Sequence, residues 1–197
     1  MRANEIITEL KGAKTHINQG IDNIFDLKDY MEGLGFTYIA GGEFSLVFQG
    51  PSDLVVKVYN DECYDEFIKF CLARPTNPFL PKFRGRGVRL TPDARMIRIE
   101  RLLPIPPSEW QKAGVQTITA IVRSDDDVDM WDLNDSQKAL YQTIKNLYNE
   151  MASPCWLDIH AGNVMMRPSG QLVIIDPFAP SRNGWHSTHK KKRKAGR

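Results

Sequence analysis

Apolar residues recur with a helical period early in the chain and with a shorter, strand-like spacing after that. Over residues 1–34 the apolar positions are spaced as on one face of a helix, and Gly33 and Gly35 end the pattern. Short apolar segments follow, separated by glycine-containing turns, and we predict strands there at 36–40, 44–49 and 54–59. A helical section therefore precedes a section of hairpins.

The middle of the chain alternates between helix and strand patterns. Residues 61–73 predict a short helix, and the proline-rich stretch 74–81 enforces a loop after it. Two further strands are predicted at 83–90 and 95–103. With the three earlier strands they would make a five-stranded antiparallel sheet accompanied by one helix.

The remaining pattern predicts mostly helix and a final hairpin. Residues 104–135 have the weakest periodicity, with a helix at 110–122 inside them. Residues 136–151 place their apolar side chains on one helical face. Two short strands, 164–167 and 172–175, follow and are joined by a proline- and glycine-containing turn.

Composition excludes several classes of protein. The chain of 197 residues is 42% hydrophobic and 25% charged, which is ordinary for a soluble globular protein. No apolar run approaches the roughly 20 residues that span a bilayer, and the first residues lack a secretory-signal pattern. The three cysteines are odd in number and have no metal-ligand spacing, so we expect no disulfide framework, no zinc site and a reducing cytosol.

Charge is distributed unevenly. The net charge is +2, but residues 189–197 hold six Lys and Arg and no acid, which leaves 20 basic against 24 acidic residues elsewhere. We interpret residues 181–197 as a basic, solvated tail, with salt-sensitive nucleic-acid contact as the alternative. The acidic stretch 125–132 is interpreted as a solvated loop, with ion or partner binding as its alternative.

Three polar residues have the chemistry that phosphoryl transfer requires. Asp158 and Asn163 are five positions apart in a predicted loop, and Asp176 follows an apolar strand. One carboxylate can accept the proton of an attacking hydroxyl group. An amide oxygen and a second carboxylate can hold Mg²⁺ at the nucleotide phosphates.

The pattern resembles the protein-kinase-like superfamily, in the variant whose catalytic loop reads D-x-H-x-x-N. By that resemblance Asp158 is the catalytic base, and Asn163 and Asp176 are the Mg²⁺ ligands. His160 is then a supporting residue of the loop. The D-F-G motif of the superfamily is replaced by Asp176-Pro177-Phe178, which keeps the metal ligand and puts the usual switch of the phenylalanine in doubt.

The resemblance extends to an ATP site upstream. Residues 40–47 stand where the nucleotide-covering loop is expected, with small residues replacing two of its three glycines. Lys57 ends an apolar strand as in V-A-I-K and is implied to hold the α- and β-phosphates. Its implied partner is Glu66, with Glu62 and Asp65 as alternatives. The residues implied to contact ATP are Ala40, Gly41, Gly42, Ser45, Val47, Val55, Lys57, Glu66, Ile99, Glu100, Leu102 and Met165. Plain core packing is compatible with this role for Val47, Val55, Ile99 and Met165.

A closer resemblance is to the early Ser/Thr protein kinases of T-seven-type bacteriophages. It is carried by Gly42-x-Phe44-Ser45, by Phe70-Cys71 before the proline-rich loop, by Ile159-His160-x-Gly162-Asn163 and by Asp176-Pro177. It covers about residues 34–180, with 104–150 as its poorest part. It implies host protein substrates from transcription, RNA processing or translation, and a location in the host bacterial cytoplasm.

The expected fold is α+β with two lobes, as in protein kinases. We assign residues 1–34 to a helical extension, 35–103 to a lobe with the five-stranded sheet, 104–180 to a truncated, mostly helical lobe, and 181–197 to the tail. Because only 21 residues follow Asp176, the second lobe would have a small core. A homodimer or a bound host protein that covers it is a further hypothesis.

Three functions are compatible with these residues. The first is ATP- and Mg²⁺-dependent phosphorylation of Ser or Thr in host proteins, including self-phosphorylation. The second is a weak or inactive kinase-fold binder that inhibits a host enzyme. The third is phosphorylation of a small molecule, as in aminoglycoside and choline kinases. Retention of Lys57, Asp158, Asn163 and Asp176 favours the first, because a binder needs none of these side chains for catalysis.

Overall fold

A computed structural model of the chain describes residues 26–50, 55–91, 94–124, 133–151 and 155–180. Most of the predicted amino-terminal extension, the acidic stretch 125–132 and the basic tail lie outside these residues. The described structure combines helices with antiparallel sheets. The chain divides into two units, one with residues up to Asp61 and Lys82–Arg101, the other with Glu62–Pro81 and the residues from Leu102 onward.

Among its described residues, the first unit has one helix and a five-stranded sheet. Its elements are helix α1 (Asp26–Gly33) and strands β1 (Thr37–Gly41), β2 (Ser45–Gln49), β3 (Val55–Tyr59), β4 (Phe83–Arg89) and β5 (Arg95–Ile99). The strand order is β1-β2-β3-β5-β4, and every neighbouring pair is antiparallel. This confirms the five-stranded antiparallel sheet that the short apolar segments and the turns between them predict.

The core of the first unit lies on one face of its sheet. Leu27 and Met31 are one helical turn apart on α1 and are fully buried. They belong to the same apolar cluster as Phe48, Val56 and Met96, which come from three adjacent strands. Burying such side chains stabilises a fold by roughly 1.5–3 kcal/mol each, so this cluster fixes the strand register.

The second unit contains four helices and two small sheets among its described residues. The helices are α2 (Glu62–Leu72), α3 (Pro107–Lys112), α4 (Val115–Ser124) and α5 (Asp135–Met151). The strands are β6 (Leu103–Pro104), β7 (Cys155–Leu157), β8 (Val164–Met166), β9 (Leu172–Ile174) and β10 (Phe178–Pro180), arranged as β6-β8-β9 and β10-β7. None of the helices described here is long and apolar enough to cross a membrane.

Two predicted elements of this region differ from the structure. The helix expected over 110–122 is two helices, because Gly114 has a φ of +64° and interrupts the chain direction there. The strand expected over 95–103 ends at Ile99. Residues 103–104 belong to the second unit, where they pair with β8. The two-lobed kinase arrangement itself stays a prediction.

The prediction that the cysteines form no disulfide is wrong. Cys63 on α2 and Cys155 on β7 are joined by a disulfide, with Cα atoms 5.8 Å apart and 92 positions apart in sequence. Both belong to the second unit, where α2 packs against β10, the partner strand of β7. The pairing depends on this tertiary contact, so the cysteine spacing alone does not reveal it.

Candidate active site

Two backbone hydrogen bonds hold the predicted catalytic loop against the segment that contains Asp176. The Asp158 amide donates to the Pro177 carbonyl over 2.7 Å, and the Ile175 amide donates to the Asn163 carbonyl over 2.9 Å. Asp176 lies between these two bonded positions. Paired residues in antiparallel strands have Cα atoms about 5 Å apart, so both ends of the loop and Asp176 lie in one small region.

The flanking strand pairs explain this geometry. On one side β7 pairs with β10, with Leu157 opposite Phe178. On the other side β8 pairs with β9, with Val164 opposite Ile174. Each of these four side chains is at least nine-tenths buried, so apolar packing holds the strands that carry the polar loop.

His160 shapes the interior of the loop. Its Nδ1 accepts a hydrogen bond from the Gly162 amide over 3.0 Å, which places the proton of a neutral ring on Nε2. That Nε2 lies 3.8 Å from the Asp158 Oδ2. The Asp158 side chain is 44% exposed, so its carboxylate is accessible to an incoming hydroxyl group while the histidine lies beside it.

Asn163 is oriented by its own loop. Its Nδ2 donates to the Asp158 carbonyl over 2.7 Å, and its backbone amide donates to the His160 carbonyl over 2.9 Å. With the amide nitrogen engaged, the side-chain oxygen is the atom that can coordinate a cation. The loop therefore presents an acceptor oxygen next to the Asp176 segment.

These donors fit Mg²⁺ better than a transition metal. Asn163 and Asp176 supply oxygen atoms, and Mg²⁺ in phosphate-transferring sites is held by one or two carboxylates together with substrate phosphates. Within the described residues, no three His, Cys, Asp or Glu side chains cluster as a metal site. A site for zinc, which prefers nitrogen and sulfur ligands, therefore has no support there.

Lys57 lies at the centre of β3 in the first unit. It pairs with Val47 of β2 on one side and with Ile97 of β5 on the other, and it is only 6% exposed. Burying an ammonium group is costly unless its charge is compensated. A lysine in the middle of a sheet is therefore a stronger functional candidate than one on its surface.

The hairpin between β1 and β2 contains the predicted nucleotide-covering residues. The Gly42 amide donates to the Ser45 carbonyl over 2.9 Å and closes the turn. A Cβ atom added at Gly41 would lie 2.6 Å from the Tyr38 Oη, whereas one added at Gly42 would meet no atom within 4 Å. A methyl group at position 41 would therefore crowd Tyr38, Leu46 and the Ser45 carbonyl, whereas position 42 is open on the side where a side chain would stand.

This difference gives a paired prediction. We expect Gly41→Ala to destabilise the protein by about 1–3 kcal/mol, because the added methyl group overpacks the hairpin. Gly42→Ala is expected to change stability by less than about 0.5 kcal/mol and to weaken ATP binding instead. Urea unfolding and nucleotide titration of both variants test this, and equal destabilisation by the two would contradict the assignment.

The residues expected to contact adenine come from both units. In the first unit Val55 and Ile99 are a cross-strand pair and are 6% and 9% exposed. The Glu100 amide donates to the Lys82 carbonyl over 3.0 Å. In the second unit Met165 is half-buried in β8. Their role in binding ATP stays a prediction.

Glu66 lies on an exposed part of α2. Its carboxylate accepts a hydrogen bond from Lys69 over 2.6 Å, and its side chain is 56% exposed. Exposed ion pairs of this kind contribute little to stability. The pairing of Glu66 with Lys57 that the resemblance implies stays a prediction.

Two arginines that the sequence did not single out hold the region around the loop. Arg167, just after β8, donates to the carbonyls of Pro78 and Leu80. Arg123, at the end of α4, donates to the Leu157 carbonyl directly before Asp158. These contacts join residues 34 to 89 positions apart, so no local motif reveals them.

The part of the chain that contains the predicted catalytic loop matches a known protein family. No curated protein matches the chain. Residues 104–194 match the family model described as bacteriophage T7 protein kinase 0.7. This match begins at residue 104, whereas the resemblance described in the sequence analysis begins at about residue 34. The match includes residues 104–150, the part where that resemblance is poorest. The match contains Asp158, Asn163 and Asp176, and over residues 104–194 the chain is similar to the bacteriophage T7 protein kinase family.

Proposed function

We propose that the protein is an ATP- and Mg²⁺-dependent Ser/Thr protein kinase of bacteriophage type. The observation that carries the proposal is the pair of hydrogen bonds that bring Asp158 and Asn163 next to the Asp176 segment. These residues lie inside the part of the chain related to a phage protein kinase family. Backbone proximity of three residues whose side chains carry oxygen supports a site for phosphoryl transfer.

In this mechanism Asp158 accepts the proton of the substrate hydroxyl as that oxygen attacks the γ-phosphate. The Asn163 side-chain oxygen and the Asp176 carboxylate would hold Mg²⁺, which neutralises negative charge on the phosphates. Lys57 would hold the α- and β-phosphates. Catalysis then comes mainly from positioning and charge neutralisation, for which a loop fixed at both ends is suited.

The substrates we propose are host proteins, and the chain itself is a second acceptor. By family resemblance these proteins belong to transcription, RNA processing or translation in the host bacterial cytoplasm. The half-exposed Asp158 carboxylate supports a macromolecular acceptor, because a hydroxyl on a protein surface must reach the base without entering a closed cavity.

Labelling of a host lysate tests the proposal. Purified protein is incubated with γ-labelled ATP, Mg²⁺ and lysate from uninfected cells, and the labelled proteins are separated and hydrolysed to identify phosphoserine and phosphothreonine. We expect labelled Ser or Thr that disappears when EDTA removes Mg²⁺. If no protein is labelled at any Mg²⁺ concentration, the inactive-binder interpretation replaces the kinase.

A further inference from the structure

The hairpin formed by β4 and β5 carries an unusual concentration of positive charge. Residues 82–101 contain seven Lys or Arg and two acidic residues, a net charge of +5, whereas the whole chain has a net charge of +2. Six of the seven basic residues are arginine. The proposed kinase chemistry uses none of these side chains.

The strand register places arginines directly opposite one another. Arg84 of β4 pairs with Arg98 of β5, and Arg89 of β4 pairs with Arg95 of β5. Like charges at facing positions destabilise an antiparallel pair, and the Arg84–Arg98 pair has this local cost.

The first of these pairs is held in a defined arrangement. The Arg98 Nε donates to the Arg84 carbonyl over 3.2 Å. Gly85, between them in space, has a φ of +83°, and a Cβ atom added there would lie 3.0 Å from the Arg98 Nη2. Glycine at this position therefore leaves room for the guanidinium group against the backbone of β4.

The hairpin also lies at the border of the sheet. β4 is the last strand in the order β1-β2-β3-β5-β4, and Arg84 is exposed. Side chains alternate between the two faces of a strand, so Arg95 and Arg98 stand on opposite faces of β5. Arg84 and Arg98 are cross-strand partners and share one of these faces.

We propose that this hairpin binds the phosphate backbone of duplex DNA, with Arg84 and Arg98 as the principal contacts. The planar guanidinium matches phosphate geometry, and arginine is favoured over lysine in such contacts. The major groove of B-form DNA is about 12 Å wide and admits strand elements. Arg84 and Arg98 face each other on one side of the hairpin, so both guanidinium groups can contact phosphates of the same DNA strand.

Two other partners fit the hairpin less well. Binding of single strands depends on aromatic rings that stack on bases, and Phe83, the aromatic residue of the described hairpin, is half-buried. An acidic protein face would be matched by a compact cluster, whereas the charges here extend along two strands from Arg84 to Arg89. Both alternatives are outcomes of the test.

Fluorescence anisotropy of the full chain with a short labelled DNA duplex, over a range of salt concentrations, tests the proposal. The double variant Arg84→Gln, Arg98→Gln is compared with Lys69→Gln, Lys112→Gln, which removes the same charge from exposed helical lysines of the second unit. We expect the arginine variant to reduce the slope of log affinity against log salt by about 2. The lysine variant is expected to leave that slope unchanged.

The outcomes separate the proposal from its rivals. Equal losses in both double variants, or loss of all binding on deletion of residues 189–197 with none from the arginine variant, would overturn it. Absence of duplex binding would leave the arginines as protection of the sheet edge. Tighter binding to poly-glutamate or to single-stranded DNA than to the duplex would replace it with those partners. Urea unfolding of each variant verifies that the sheet is intact.

Discussion

Replacing Asp158 with asparagine is expected to lower the rate of phosphate transfer by about 10²–10⁴-fold, the usual contribution of a general base. Asparagine keeps the size of the side chain but cannot accept the hydroxyl proton. The hydrogen bonds that hold the loop here use the backbone of residue 158. Its amide donates to the Pro177 carbonyl, and its carbonyl accepts from the Asn163 side chain. The substitution therefore removes the base and leaves those bonds in place.

Two measurements distinguish this effect from loss of the site. Transfer is measured as incorporation of labelled phosphate into lysate proteins, and nucleotide affinity is measured separately by titration with a fluorescent ATP analogue. We expect the Asp158→Asn variant to bind the analogue nearly as tightly as the unmodified protein. Asp176→Asn is the matched comparison, because it is expected to weaken Mg²⁺-dependent nucleotide binding together with transfer. Equal labelling by the Asp158 variant and the unmodified protein would refute the assignment.

Removing the disulfide is expected to lower the free energy of unfolding by about 4 kcal/mol, which is the order expected for closing a loop of this length. The bond joins Cys63 on α2 to Cys155 on β7 across 92 positions. It therefore restricts a large part of the unfolded chain. Because β7 leads directly into Asp158, we also expect the catalytic loop to lose part of its support.

Urea unfolding of the oxidised protein, of the reduced protein and of the Cys63→Ala, Cys155→Ala double variant measures this effect. Cys71→Ala is the control, because Cys71 is buried and unpaired with another cysteine. Burial raises the pKa of the Cys71 thiol, an effect that the nearby Arg74 partly opposes, so the thiol stays protonated and reacts slowly. An unfolding midpoint that does not change on reduction would mean that the bond contributes nothing.

The parts of the fold that depend on residues close together in the sequence were predictable. Short apolar segments between glycine-containing turns predicted the antiparallel sheet, since strands joined by tight turns run antiparallel. The backbones around residues 158, 163 and 176 lie close together because the β7–β10 and β8–β9 pairs flank them. The convergence of their side chains stays a prediction.

Contacts between distant segments were not predictable in the same way. The Cys63–Cys155 disulfide and the Arg167 contacts with Pro78 and Leu80 depend on how separate elements pack. The break in the helix at Gly114 depends on a positive φ. A single glycine inside a helical pattern does not by itself predict a positive φ. The roles assigned to Lys57 and Glu66 depend on the placement of a nucleotide and stay predictions.

The position of Phe178, two residues after Asp176, bears on how the proposed kinase activity could be regulated. In many protein kinases the phenylalanine of D-F-G swings between two positions and so turns the enzyme off. Phe178 here is 5% exposed and lies opposite Leu157 in the β7–β10 pair, while Pro177 restricts the backbone before it. Moving this ring out of its position would require the β7–β10 strand pair to separate. An enzyme with this arrangement would have no resting form that depends on moving the phenylalanine.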